Sequence, residues 1–108
     1  FHHERVGHDP EKISEIPARW LSYAQLCDMP ECGVVTDPET YYIDAIDGRL
    51  APGEGSVPLT AMARALPANL PISLEIRSLQ YREMFRDPLE RARAILTQTQ
   101  AFFAEYGL

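Results

Sequence analysis

Three Asp-Pro pairs constrain where the helices of this chain can begin. The pairs are Asp9-Pro10, Asp37-Pro38 and Asp87-Pro88. An Asp at the N-cap accepts hydrogen bonds from the free N–H groups of the first turn, and a proline at the first helical position lacks the N–H that would be unpaired there. The pairs therefore predict helices that begin near residues 10, 38 and 88.

Apolar spacing and chain breakers complete the helix assignment. The predicted helices cover residues 10–16, 38–46, 58–66 and 88–106. The last one is the longest and ends at Gly107. It carries a stripe with the three- and four-residue spacing of a helix face, formed by Leu89, Ala92, Leu96, Thr99, Phe103 and Tyr106.

Two short apolar runs predict strands over about residues 21–27 and 72–76. Strands that alternate with helices are typical of parallel βα units, so the predicted fold class is α/β. Because two strands do not make a stable parallel sheet alone, the pattern indicates a part of a larger fold. The start at Phe1, strand-like and without an initiator Met, also favours a missing N-terminal portion, with a tag remnant as the alternative for His2 and His3.

Composition and charge exclude several classes of function. The net charge is -6, and the arginines of the last third alternate with acids, which argues against a nucleic-acid partner. No apolar stretch approaches the roughly 20 residues needed to cross a bilayer, which argues against a membrane partner. Cys27 and Cys32 are predicted to be free thiols in a reducing cytoplasm, with a disulfide or a structural metal as alternatives.

Glu75 is the strongest candidate for chemistry. Ligands of parallel α/β folds bind at the carboxyl ends of the strands, and Glu75 lies in the apolar run Ile72 to Ile76. Burying a carboxylate there is costly unless it is paired or bound to a metal. The alternative is a glutamate that points to solvent from an edge strand.

Three further polar residues lie near predicted strand ends or turns. Gln25 is embedded among apolar neighbours, and it is either functional or a core glutamine satisfied by the backbone. Asp28 ends the first strand, where a turn-forming role is an equal alternative. Arg49 precedes Pro52–Gly55, a tight glycine turn rather than a phosphate loop. It could reach an anionic or hydroxylated ligand, although it could also be an ordinary exposed arginine.

Four short motifs occur in the order and spacing of a known superfamily. They are Phe1–Arg5, Tyr23–Asp28, Arg49–Gly55 and Ile72–Ile76. In these motifs the chain resembles the xylose isomerase-like TIM barrels. This sugar phosphate isomerase/epimerase superfamily includes ketose 3-epimerases, inosose dehydratases and hydroxypyruvate isomerases. The resemblance covers residues 1–108 and implies the C-terminal part of a single (β/α)8 barrel, from the end of strand six through helix eight, with the N-terminal part absent.

The resemblance also implies a divalent metal, which the family holds with two Glu, one Asp and one His. Glu75 matches the last-strand glutamate that binds the metal and acts as acid/base. Gln25 stands where many members have the metal-binding His. Because an amide oxygen is a harder donor than imidazole, Mn²⁺ or Mg²⁺ is favoured over Zn²⁺ or Co²⁺, or metal binding is lost. His2 and Arg49 match substrate-contacting residues.

The implied activity is proton transfer next to the carbonyl of a ketose, hydroxy-ketone or cyclitol. The expected protein is therefore an isomerase, an epimerase or a related lyase with a small sugar or polyol substrate. The 108 residues alone are expected to be inactive, because the other carboxylates of the site would come from the remainder of the barrel. Two alternatives stay open: a non-catalytic degenerate barrel or interaction domain with a decayed metal site, and a complete small α/β domain that forms a homo-oligomer to cover its strand edges.

Overall fold

The computed structural model describes residues 1 to 108 and contains a two-stranded parallel sheet surrounded by helices. Strand β1 is Ala24–Leu26 and strand β2 is Ile72–Leu74. The register pairs Ala24 with Ile72 and Leu26 with Leu74. The predicted parallel α/β arrangement is confirmed. Both strands are shorter than the predicted 21–27 and 72–76. Beyond β1, Asp28 pairs with Leu50 of another segment rather than with the chain that follows β2.

The helices that follow the Asp-Pro pairs begin where predicted. Helix α2 is Pro38–Ile46 and helix α5 is Pro88–Tyr106, and the side chain of the preceding aspartate accepts first-turn N–H groups in both. The segment predicted as a helix over 10–16 is a 3₁₀ helix, Pro10–Glu15. Helix α3 is Leu59–Ala65, which is shorter than the predicted 58–66 by one residue at each end.

Three short elements have no counterpart in the sequence-based assignment. They are helix α1 (His2–Arg5), a 3₁₀ turn (Ala18–Trp20) and helix α4 (Leu79–Met84). The strand-like start predicted at Phe1 is therefore wrong. Tertiary contacts hold α1, since the buried Arg5 forms an ion pair of 2.7 Å with Asp44 of α2.

The hydrophobic core lies between the sheet, α3 and α5. Its buried members are Leu26, Met29, Val57, Leu59, Met62 and Phe102. The 3₁₀ helix packs against α3 and encloses this core from one side.

Helix α5 buries only part of the stripe that its spacing predicts. Thr99 and Phe102 are its buried residues, whereas Leu89 and Leu96 of the predicted stripe are 57% and 49% exposed. The prediction of the buried stripe is therefore wrong for the N-terminal half of α5. The physical reason is that the hydrophobic core reaches α5 at Phe102 and Phe103, in its C-terminal half, and does not include Leu89 or Leu96.

None of the helices is both long and apolar enough to cross a membrane. Cys27 is buried, Cys32 is exposed, and both are free thiols as predicted.

Candidate functional site

The carboxyl ends of β1 and β2 meet at the same edge of the sheet because the strands are parallel. A short segment after α2 crosses this edge. Within it, Leu50 pairs with Asp28 beyond β1, and Gly48 pairs with Ser78 beyond β2, both in antiparallel bridges. Arg49 lies between these two bridges, and the crossing segment thereby places it at the ends of both strands.

Arg49 is buried and held by several hydrogen bonds. It is 4% exposed, and its Nε donates to the carbonyl oxygen of Ala45 at 3.1 Å. Its Nη1 donates to the Glu75 carbonyl oxygen at 3.1 Å and to Glu75 Oε2 at 2.6 Å. The guanidinium also lies 4.8 Å from the centre of the Phe1 ring, within cation–π range. The interpretation of Arg49 as an ordinary exposed arginine is therefore wrong.

Glu75 follows β2, and its backbone N–H donates to the Leu26 carbonyl oxygen at 3.1 Å. Its side chain is 40% exposed, so it is less desolvated than its apolar neighbours in the sequence predict. The carboxylate is paired, as a partly buried charge requires, and the partner is Arg49 rather than a metal. Oε1 has no protein partner, which leaves one carboxylate oxygen for a ligand.

His2 and Gln25 complete the set of predicted site residues. His2 is exposed and its Nδ1 forms a hydrogen bond with the Tyr41 hydroxyl at 2.5 Å. Gln25 is exposed rather than buried in the core, and its amide has no protein hydrogen bond, so the interpretation as a core glutamine is wrong.

These four residues line one cavity of about 200 Å³, hereafter the polar cavity. Its full lining is Phe1, His2, His3, Gln25, Leu26, Cys27, Arg49 and Glu75. The structure thus brings together residues from positions 2, 25, 49 and 75 of the sequence, at the strand ends where ligands of parallel α/β folds bind.

The polar cavity does not hold a complete metal site within this chain. No group of three or more His, Cys, Asp or Glu side chains is placed to hold a metal ion. Glu75 and Gln25 are the two oxygen donors at the strand ends, whereas Mg²⁺ and Mn²⁺ need about six ligands. In addition, Arg49 occupies one of the two Glu75 oxygens. These residues alone therefore fit a divalent ion poorly.

Four residues of the polar cavity were not predicted as site residues, namely Phe1, His3, Leu26 and Cys27, and the first two of them flank the predicted residue His2. Phe1 packs edge-to-face against His2 and Tyr41 and lies beneath Arg49. His3 Nδ1 is buried without a hydrogen-bond partner, and burial, followed by the nearby His8, lowers the pKa of His3 below its usual value. The sequence signal for both was only their position beside His2.

Asp28 has a structural role. From its place in the sequence, it was predicted to be either a turn-forming residue or a functional one. It is 1% exposed, and its carboxylate accepts four backbone N–H groups at 2.9 to 3.0 Å. The donors are Met29, Gly53, Gly55 and Val57. Asp28 therefore holds the glycine turn 52–55, predicted as a tight turn, against the end of β1, with no oxygen left for a ligand.

The same turn is held from its other side by a tyrosine. The Tyr81 hydroxyl donates to Glu54 Oε1 at 2.7 Å, and Glu54 Oε2 accepts the Ala51 N–H at 3.1 Å. Burial, and then the hydrogen bond to Glu54, raise the pKa of Tyr81 above its usual range. The turn that follows Arg49 is thus fixed at both ends, which limits the movement of Arg49 itself.

Comparison with known proteins found no matching family model, no matching curated protein and no matching solved structure.

Proposed function

We propose that this chain carries the acid/base part of a sugar isomerase or epimerase site, which transfers a proton next to the carbonyl of a ketose, hydroxy-ketone or cyclitol. The observation that carries the proposal is the polar cavity. The residues to which the resemblance assigns acid/base chemistry, metal binding and substrate contact, namely Glu75, Gln25, His2 and Arg49, line the same 200 Å³ space.

The contacts of Glu75 suit it to proton transfer. Its Oε1 is free to take a proton from a substrate carbon and to return it to the neighbouring carbon, as in an isomerase. In an epimerase, a second acid/base from outside these 108 residues would have to deliver a proton to the opposite face of the same carbon. The negative charge that develops on the carbonyl oxygen needs a donor. Arg49 supplies it, because its Nη2 makes no protein hydrogen bond while Nε and Nη1 are held in place. His2 would contact a substrate hydroxyl through Nε2.

The expected divalent metal would add Lewis-acid stabilisation of the same oxygen. From this chain, Gln25 and Glu75 would bind it, the metal replacing Arg49 at Glu75 Oε2 while Oε1 acts as the base. Further ligands would have to come from outside these 108 residues. The large exposed surface of this chain supports a contribution from further polypeptide. The chain exposes 6975 Å², against roughly 6,100 Å² for a folded monomer of 12.2 kDa. Both outer edges of the sheet are also unpaired. We therefore propose that the chain forms the C-terminal segment of a (β/α)8 barrel.

Titration with Mn²⁺ and a ketose, followed by NMR of the ¹⁵N-labelled chain, tests the proposal. We expect weak Mn²⁺ binding that broadens the signals of Glu75 and Gln25, and ketose-induced shifts at Arg49. Glu75→Gln should abolish the Mn²⁺ effect. Glu83→Gln, an equal loss of charge at an exposed position of α4, should preserve it. The 108 residues alone should show no solvent deuterium exchange into the ketose, and turnover by them would refute the shared site.

One observation favours a second candidate, a non-catalytic barrel or interaction domain. The 2.6 Å ion pair with Arg49 engages the carboxylate that should act as base and metal ligand. In this case Mn²⁺ would not bind, and Glu75→Gln would leave ketose-induced shifts unchanged. Loss of those shifts in Glu75→Gln would argue against this candidate.

A further inference from the structure

A second cavity adjoins the polar cavity. It has a volume of about 160 Å³ and is hereafter the apolar cavity. The residues that line both cavities are Phe1, His3, Gln25, Leu26 and Cys27. Beyond them the apolar cavity is enclosed by Ile13, Ala24, Leu59, Met62 and Leu66. The combined space therefore has charged and polar groups at one end and only apolar side chains at the other.

The size of the apolar cavity sets the size of a group that can enter it. An apolar protein cavity of about 150 Å³ stays dry and accepts a benzene molecule. The apolar cavity is of similar volume, and it offers a water molecule few polar partners. An apolar group of about six carbons would therefore be more stable there than water.

His3 lies where the two cavities meet. Its Nδ1 is buried and has no hydrogen-bond partner in the structure, although buried polar atoms are normally paired. A ligand hydroxyl at the junction would supply the missing partner. At the polar end the charges of Arg49 and Glu75 compensate each other, so the combined space favours a ligand without net charge.

We propose that the two cavities form one bipartite site for an uncharged amphipathic molecule. Its hydroxylated head contacts Arg49 and Glu75, and its benzene-sized apolar group lies between Leu59 and Met62. The choice of head rests on the proposed function, whereas the apolar group follows from the second cavity. A sugar without an apolar substituent fills only the polar end.

The test compares a phenyl glycoside with the methyl glycoside of the same sugar, by NMR titration of the ¹⁵N-labelled protein. Burial of one methylene-sized group strengthens binding by about fourfold. We therefore expect the phenyl glycoside to bind at least tenfold more tightly, and to shift the amide signals of Leu59 and Met62, which the methyl glycoside leaves unchanged.

A variant that fills the apolar cavity supplies the second measurement. Ala24→Leu should reduce the preference for the phenyl glycoside to less than twofold without weakening the methyl glycoside. Ala104→Leu, the same change at an exposed position of α5, should retain the full preference.

Equal binding of the two glycosides by the parent protein would overturn the bipartite site and leave the proposed function standing. Absence of binding by both would refute the bipartite site as well. The proposed function fails by a different result, the absence of both the Mn²⁺ effect at Glu75 and Gln25 and the ketose-induced shifts at Arg49.

Discussion

Replacing Asp28 by asparagine changes one atom of the side chain and should strongly destabilise the fold. Each carboxylate oxygen accepts two backbone N–H groups: Oδ1 those of Met29 and Val57, and Oδ2 those of Gly53 and Gly55. An amide has one acceptor oxygen, so either orientation of the substituted asparagine side chain directs its NH₂ group at two N–H donors.

The magnitude follows from the burial of these donors. Met29 and Val57 are buried, whereas Gly53 and Gly55 lie at exposed positions of the turn. The amide oxygen should therefore stay with the buried pair, and the glycine N–H groups should lose their acceptor. At about 1–3 kcal/mol for each unsatisfied group, with water compensating in part, we expect a loss of about 2–4 kcal/mol. A domain of this size has a total stability of about 5–15 kcal/mol.

Urea unfolding followed by circular dichroism measures this loss, with the m-value as a check that the unfolded state is unchanged. Asp87→Asn is the matched control. The Asp87 side chain caps α5 at an exposed position, and asparagine is an equally good N-cap residue. The control should therefore lose less than about 1 kcal/mol. If Asp28→Asn lost no more stability than Asp87→Asn, the assignment of Asp28 as the anchor of the turn would be refuted.

Three further predictions concern the turn and the buried histidine. Tyr81→Phe should cost about 1–2 kcal/mol in urea unfolding, because Glu54 loses its donor. In the parent, the raised pKa of Tyr81 stabilises the fold below the usual tyrosine pKa of about 10, and this contribution should be lost as the pH rises further. His3 has a lowered pKa, so the unfolded chain binds its proton more readily. Stability should therefore fall as the pH drops from 7 to 5, and His3→Gln should flatten that slope. His8→Gln should flatten it less, because it removes only the second cause of the lowered pKa of His3. Gly55→Ala should destabilise the protein by more than about 2 kcal/mol, because the new methyl group would overlap the backbone carbonyl oxygen of Met29.

Each of these predictions has a contradicting result. An unchanged urea midpoint for Tyr81→Phe, or a fluorescence-monitored stability that is flat above pH 10, would contradict the contribution of the Tyr81 hydroxyl. A parent stability that rises between pH 7 and pH 5 would contradict the lowered pKa of His3. A Gly55→Ala protein as stable as the parent would show that the turn does not approach β1 closely.

The helices were predictable where a local interaction sets their start. Asp37 and Asp87 cap α2 and α5 through N–H groups two or three residues away, so the Asp-Pro pairs contained the necessary information. Helix α1 was not predictable, because it depends on the contact of Arg5 with Asp44. The exposure of the N-terminal half of the α5 stripe was missed for a similar reason, since apolar spacing does not show which part of a helix packs against the core.

The candidate site was likewise predictable in part: its residues were indicated by the sequence, but their arrangement was not. Their places in the predicted strands indicated Glu75 and Gln25, whereas the site roles of Arg49 and His2 came from the resemblance of short motifs to a known superfamily. Their meeting around one cavity, and the ion pair between Arg49 and Glu75, depend on chain segments 26 residues apart that the crossing segment after α2 brings together.

By itself, the sequence determined the α/β class, the helix starts and the polar residues at the strand ends, because caps, turns and apolar runs act over a few neighbouring residues. Only the tertiary structure decided that Asp28 holds a turn 25 to 29 residues further along the chain. It also decided that the apolar cavity adjoins the polar cavity and shares lining residues with it. Both depend on distances between segments that are remote in the sequence, and residue spacing along the chain does not specify those distances.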